Sequence, residues 1–344
     1  MDVSVVWASW SNLLIYSAMA VYAVAFIIYS LDLFGDSAQD KSQVKNQTKT
    51  EAKASAVART SRHRGGGVAV AERDEDSPAP ISGLSNSRRW ARVGTALTVL
   101  AVLLHVGAIA TRTISVMRVP WGNMMEYALV ASALAVITYL AVLKFKDLRF
   151  MGTFVAAFAL ITLGLCITVF YTPAAQLIPA LQSYWIYIHV PIAILSTALL
   201  TVSAVIAIFQ LLTLNYEKRV KEDRPIPKAL RFLARTPASD RIEVVSYRLA
   251  AVGFITWTFT LIAGAIWAEV AWGRPWGWDT KEIWTFVVWV IYAAYLHSRA
   301  TRGWSQRAIA ILNLVGFSTV LFNFAVVNIY FNGCLLYTSP SPRD

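Results

Sequence analysis

Long apolar runs separated by short polar segments dominate the chain. They fall at about 4–31, 90–111, 124–143, 150–172, 185–214, 247–268, 283–298 and 308–330. A helix needs about 20 apolar residues to cross the hydrocarbon core of a bilayer. An open strand leaves its backbone unpaired in lipid, so each run predicts a helix. The pattern therefore predicts an all-α, polytopic membrane protein with about eight transmembrane helices. The first run has no basic segment ahead of it and no small-residue cleavage site behind it, so it reads as a span and not as a cleaved signal. No repeat of solenoid type is present.

Composition agrees. Of 344 residues, 57% are hydrophobic and only 15% charged, against about 25% charged in an ordinary soluble domain. Soluble enzyme, nucleic-acid binder and disordered protein are all excluded as readings of the whole. The net charge of +11 is a topology signal. Of 31 Lys and Arg residues, 26 fall on one set of alternate loops and four (Arg112, Arg118, Arg274 and Lys281) on the other. The positive-inside rule then puts the N-terminus outside. Residues 1–31 form the first span, and 32–89 a cytoplasmic linker too poor in large apolar residues to make a core. Residues 90–333 form the main transmembrane domain. Two cysteines, Cys166 and Cys334, make neither a redox pair nor a thiolate metal site; Cys166 reads as a small apolar packer.

The densest chemistry lies in 267–284, between the sixth and seventh runs, on the outward side. Five tryptophans occur there: Trp267, Trp272, Trp276, Trp278 and Trp284. They alternate with glycines and with Arg274, Asp279, Lys281 and Glu282. Two readings stand. One is an interfacial aromatic belt. The other is a shaped aromatic surface for a large, flat ligand with charged edges, such as a porphyrin. Asp279 and Glu282 read as loop architecture, capping the seventh helix or pairing with Lys281. Arg118, Arg274 and Lys281 are either solvated charges or partners for a ligand carboxylate. Glu126 reads as a helix cap.

Trp272-Gly273-x-x-Trp276-x-Trp278-Asp279-x-Lys281-Glu282-x-Trp284, followed by Trp289, Tyr292 and Leu296-His297, resembles the WWD signature of heme-handling proteins. More narrowly, the chain resembles the CcsA/ResC type of cytochrome c assembly protein of system II. Leu181-Gln182-Ser183-Tyr184-Trp185 with His189, and Pro120 with Asn123 and Glu126, resemble two further stretches. The resemblance spans about 90–333. Thr280 departs from it where proline is usual, and Pro275 where an aromatic is common.

An ionisable side chain inside a membrane segment is a functional candidate by default. His189, near the outer end of the fifth run, is such a residue; a buried structural histidine is the alternative. The resemblance makes it an axial ligand of heme iron held against the tryptophan loop. Trp289, Ala293 and His297 share a helix face. His297 is either a snorkelling interfacial residue or, as the resemblance implies, a ligand of a second heme nearer the cytoplasm, shared with another subunit. His105, followed by Gly107 and Ala108, either lines a heme path or packs between helices. His63 lies in the linker beside Arg62 and Arg64 and reads as solvated. The family also carries a second outward histidine after the last span. Here Asn332-Gly333 is followed by a tail, 334–344, that resembles translated adapter read-through. The native chain is expected to continue differently after Gly333.

The resemblance implies a subunit of a heme-attachment complex in the plasma membrane, with the tryptophan loop extracytoplasmic. Heme b (b-type heme) would enter near His297 and be presented at the loop, ligated by His189 and the missing histidine. The implied partners are a ResB-type membrane protein, an apocytochrome c carrying Cys-x-x-Cys-His, and a thiol-reducing protein of the same pathway. The chain offers no catalytic nucleophile or general base of its own. Three rivals remain at this point. A CcmC-like heme exporter or chaperone shares the loop with fewer spans. A solute transporter would use the loop only as a belt. A purely structural respiratory subunit would hold no heme.

Overall fold

The computed structural model describes residues 3–35, 84–174, 182–301 and 303–331. His63, Leu181, most of the 32–89 linker and the tail from Cys334 lie outside the described residues. So does the position after Gly333 where a second outward histidine is expected.

All eight apolar runs are helical. They are α1 (Val3–Gly35), α2 (Leu84–Val116), α3 (Met124–Leu143), α4 (Gly152–Thr168), α5 (Ile186–Lys221), α6 (Ser239–Trp272), α7 (Thr280–Ala300) and α8 (Gln306–Leu321). The last continues through a π-helical segment, Phe322–Val326, into a final turn, Val327–Tyr330. The described residues contain no strand. Seven of the eight helices are long and apolar enough to cross a membrane. The exception is α7, where the sequence pattern predicts a span. Its Trp and Tyr residues, Lys281 and Glu282 at one end, and His297 and Arg299 at the other lower its apolarity. It packs between α6 and α8 all the same.

Short connections make successive helices run antiparallel. The loops after α2 and α6 and the residues before α5 therefore gather at one end, here called the tryptophan pole. Lys144, Lys146, Lys218, Arg219 and Lys221 gather at the other. Polar caps set the starts of the helices. Asn123 Oδ1 accepts from the Glu126 amide at 2.9 Å, opening α3. Ser305 Oγ accepts from the Ala308 amide at 3.2 Å, opening α8.

Two cores hold the bundle. The first joins α1 to α5 around Ile15, Tyr22, Leu129, Val136, Met151, Leu163 and Phe209. Close approach depends on glycine here. A Cβ at Gly94 would lie 2.8 Å from the Tyr29 ring, and one at Gly152 would overlap the same ring. The second core joins α5 to α8 around Leu200, Trp257, Val288, Tyr292, Tyr295, Ile309 and Val320. A polar knot runs through it. Asn313 Nδ2 donates to Ser203 Oγ (2.9 Å) and Ser246 Oγ (3.0 Å), tying α8 to α5 and α6. Inside a membrane such bonds have no competing water, and each contributes about 0.6–2 kcal/mol to helix association.

Candidate functional site at the tryptophan pole

The loop between α6 and α7 is short and over-determined. Gly273 ends α6 in the left-handed region (φ 68°), its amide donating to Glu269 O at 2.9 Å. Such a cap favours glycine, which has no Cβ to clash. Asp279 opens α7 with a capping box. Its Oδ1 accepts from the Glu282 amide at 2.8 Å, and Glu282 Oε2 accepts from the amides of Asp279 (3.2 Å) and Gly277 (2.7 Å). Both carboxylates thus serve loop architecture, as their spacing predicts. Arg274 lies over Gly277, where a Cβ would overlap its guanidinium, and 3.8 Å from Glu282 Oε1. The result is a rigid frame for indoles. Trp276 and Trp278 meet edge to face at 5.9 Å. Trp278 is 71% exposed with φ 56°, a conformation uncommon for a bulky residue and a mark of local strain.

His189 stands on the first turn of α5 and faces the end of α6. Its ring lies over Gly264, where a Cβ would sit 3.0 Å from Cε1. It meets Trp267 edge to face at 5.6 Å. The Nδ1 atom is buried and makes no hydrogen bond of good geometry; the Thr260 backbone is the polar group facing the ring. The structure thus brings His189 and Trp267 together, at the pole that also carries the loop bearing Trp272, Trp276 and Trp278. Five indole N–H groups at this pole are buried without a partner: those of Trp121, Trp185, Trp267, Trp272 and Trp276. Buried donors are almost always paired in native proteins, so five at one pole mark a surface short of acceptors.

Trp284 and Lys281 turn towards α8. The Trp284 ring lies 4.1 Å from that of Phe322. Lys281 Nζ donates to the Asn323 carbonyl at 3.0 Å, and Asn323 Nδ2 donates to Thr285 Oγ1 at 3.2 Å.

The other two candidate histidines lie apart from this group. His105 is fully buried in the first core, its Nε2 2.9 Å from Leu129 O and its ring edge-on to Tyr22 at 6.2 Å. These are the contacts of a helix-packing residue. His297 is exposed near the opposite end of α7. On the same helix, Trp289 donates its indole N–H to Thr258 Oγ1 at 2.9 Å.

Three features escaped the sequence reading. Gly264 beneath His189 is one of many small residues in an apolar run and gives no signal by itself. The π-segment at Phe322–Val326 was hinted at only by Asn323, a polar residue inside a span. The third is a buried charge cluster. Glu126, expected to cap α3, is fully buried between two guanidinium groups. Its Oε1 takes Arg112 Nε at 3.2 Å, and its Oε2 takes Arg118 Nη1 at 2.8 Å and the Gly122 amide at 3.0 Å. Arg112 Nη2 also donates to Thr172 O at 2.7 Å. Arg118 is therefore committed to Glu126, and the cluster pins the loop that carries Trp121.

Residues 121–335 match the model of a family described as cytochrome C assembly protein. The "Cytochrome c biogenesis protein CcsA" of Thermosynechococcus vestitus is 37% identical over 193 residues, covering 48% of this chain and 60% of that protein. Its counterpart in Gloeobacter violaceus is 30% identical over 291 residues, covering 71% of this chain and 86% of that one. That of Chlamydomonas reinhardtii is 35% identical over 164 residues, covering 48% and 43%. The chain thus spans between 43% and 60% of the length of the first three relatives it matches. In fold it is similar to "Cytochrome c Heme Lyase CcmF", with a TM-score of 0.58 at 16% identity, over 92% of this chain and 46% of that one. The chain is a multi-pass membrane protein and belongs to the cytochrome c assembly protein family.

Proposed function

We propose that the chain holds b-type heme at the tryptophan pole and presents it for covalent attachment to apocytochrome c. The observation that carries this reading is His189, seated on Gly264 and against Trp267, at the same pole as five unpartnered indole N–H groups. The groups present fit heme in kind. An imidazole suits the iron, indole faces suit the flat ring, and N–H donors, Arg274 and Lys281 suit the propionate carboxylates.

Each residue then has a role. His189 ligates iron from α5. Trp272, Trp276 and Trp278 form the wall, which the capping box of Asp279 and Glu282 keeps rigid. Trp284 anchors that wall to α8. Heme, when bound, supplies the vinyl groups to which the apocytochrome thiols add. The chain contributes orientation and exclusion of water rather than a nucleophile. His297 would share a second heme with another subunit of ResB type; its exposure on α7 supports this, since a ligand buried in this chain's own core could not be shared. His105, already bonded to Leu129, falls outside both sites. We infer further that the tryptophan pole is extracytoplasmic, since the basic residues concentrate at the other end, and that the membrane is the plasma membrane. A thiol reductant of the same pathway would keep the apocytochrome cysteines able to react.

The test is replacement. The full-length protein is expressed in cells whose own relative has been removed, with the ResB-type partner present. Restored c-type cytochromes, read by covalent heme staining, are expected, with b-type cytochromes unchanged throughout. A heme exporter would need a separate carrier before staining returned, and a transporter or structural subunit would leave staining absent. Either result would overturn the reading.

A further inference from the structure

On α5, His189, Ser196, Ser203, Gln210 and Glu217 recur every seven residues. Seven residues make about two helical turns, so these polar positions lie along one face. A polar side chain inside a span must find its partner within the protein, and α6 partners three of them. Ser196 Oγ donates to Gly253 O at 2.7 Å. Ser203 Oγ donates to Ser246 O at 2.8 Å, and Ser246 Oγ returns a bond to Ser203 O at 2.9 Å. Glu217 accepts from the Ser239 amide at 2.9 Å and from Ser239 Oγ at 2.7 Å. Ser196 and Ser203 are spaced along α5 as Gly253 and Ser246 are along α6, so their bonds form together in one register. Gly253 also lets the helices close up, since a Cβ there would lie 2.7 Å from Leu200 Cδ2. The same register brings Gly264 to His189, the first position of the face. A Cβ on Gly264 would lie 3.0 Å from Cε1 of the imidazole and 3.4 Å from Nδ1. One turn to either side of Gly264 stand Thr260 and Ala268, which both carry a Cβ. A slip of α6 by one turn, about 5.4 Å, would bring one of them beneath the ring. Of the two ring nitrogens, Nδ1 is buried, and Nε2 lies further from Gly264, 3.9 Å from the same Cβ position.

We propose that this seam is a register lock for the iron ligand: Ser196 and Ser203 fix α6 against α5 so that Gly264 lies beneath His189, and Gly264 is a positioning residue that seats the imidazole and leaves Nε2 to ligate. The inference rests on the reading of His189 as an iron ligand. Ser196, Ser203 and Gly264 act only through the imidazole. A metal-bound histidine is oriented by the groups around it, and losing one such group costs about 10–100-fold in affinity. Here the orienting surfaces are the bare backbone of Gly264 on one hand and the Trp267 indole, met edge to face, on the other. Alanine is the better helix former, so helix stability gives no reason for a glycine at 264, and the seat does.

The experiment is a heme titration of the detergent-purified full-length protein, followed by absorbance. Gly264→Ala is expected to raise the heme concentration that half-fills the His189 site about tenfold. Ser196→Ala combined with Ser203→Ala should weaken binding in the same direction. If that double variant does not accumulate, Ser196→Ala alone, the step nearest His189, should do so to a smaller degree. Free imidazole gives a readout that a merely structural role would not move. In His189→Gly, added imidazole should occupy the emptied seat and restore the wild-type heme spectrum. With Gly264→Ala added, the same restoration should need about tenfold more imidazole. Unchanged heme affinity in Gly264→Ala or in the serine variants, or an imidazole requirement indifferent to Gly264→Ala, would overturn the inference while leaving His189 as a ligand. Heme binding by the wild-type protein that is indifferent to His189→Ala would instead overturn the site reading on which the inference rests.

Discussion

Cells that depend on a His189→Ala variant of the full-length protein will lose c-type cytochromes while keeping b-type ones. Alanine removes the imidazole seated between Gly264 and Trp267. It leaves the indoles of the loop in place, because the capping box and the Gly273 cap hold them independently. Losing a hydrogen-bonding partner of a metal-bound histidine costs about 10–100-fold in affinity or activity, so losing the ligand itself should cost at least about tenfold. The readout is covalent heme per cell, normalised to the amount of the chain in the membrane. The expected result is a fall of at least about tenfold at equal chain level. Wild-type staining in that variant would remove His189 from the account. A fall in chain level would point to a folding defect instead, which is not expected for a half-buried residue at the end of a helix.

Glu126→Gln should be among the most destabilising single substitutions in the chain. The carboxylate is fully buried, and both of its arginine partners are nearly so. Glutamine keeps the shape but removes the negative charge that the Arg112 and Arg118 guanidinium groups both face. Breaking a buried pair by removing one partner costs about 3–5 kcal/mol, because the remaining charge stays buried and uncompensated. The cluster joins the end of α2, the Trp121 loop, the start of α3 and the segment after α4. The loss should therefore appear as lower thermal stability of the whole N-terminal half, measured in detergent. A change below about 1 kcal/mol would place the cluster among exposed pairs, which contribute that little.

Much of the fold was legible in the sequence because the bilayer imposes a single length scale. Every apolar run became a helix. The span that fell short, α7, is the one whose aromatic and ionisable content also marks it as part of the site. The site was legible where chemistry is carried by residue type. Tryptophans in a short loop and a histidine in an apolar run stand out at any alignment of helices. That Asp279 and Glu282 serve the loop was legible too, as helix caps or as partners of Lys281; the structure shows the cap, in the form of a capping box. What escaped depended on contacts between distant segments. Nothing local says that Gly264 will lie under His189, or that Arg112 and Arg118, six residues apart, will converge on one carboxylate. Arg118 read as a solvated charge or a partner for a ligand carboxylate, and Glu126 as a cap; their pairing shows only in the structure. The π-turn is similar: Asn323 is visible as a polar residue, but its meaning comes from Lys281 and Thr285 across the helix pair.

The account turns on whether this chain binds heme through its own histidines. The most direct measurement is the heme-to-protein ratio of the detergent-purified full-length protein, expressed with a ResB-type partner and read by pyridine hemochrome spectroscopy. The account predicts substantial b-type heme that falls in His297→Ala, where the shared ligand is lost, and falls further when His189→Ala is added. Heme-free protein, or heme content indifferent to both substitutions, would contradict it and leave the tryptophans as an interfacial belt.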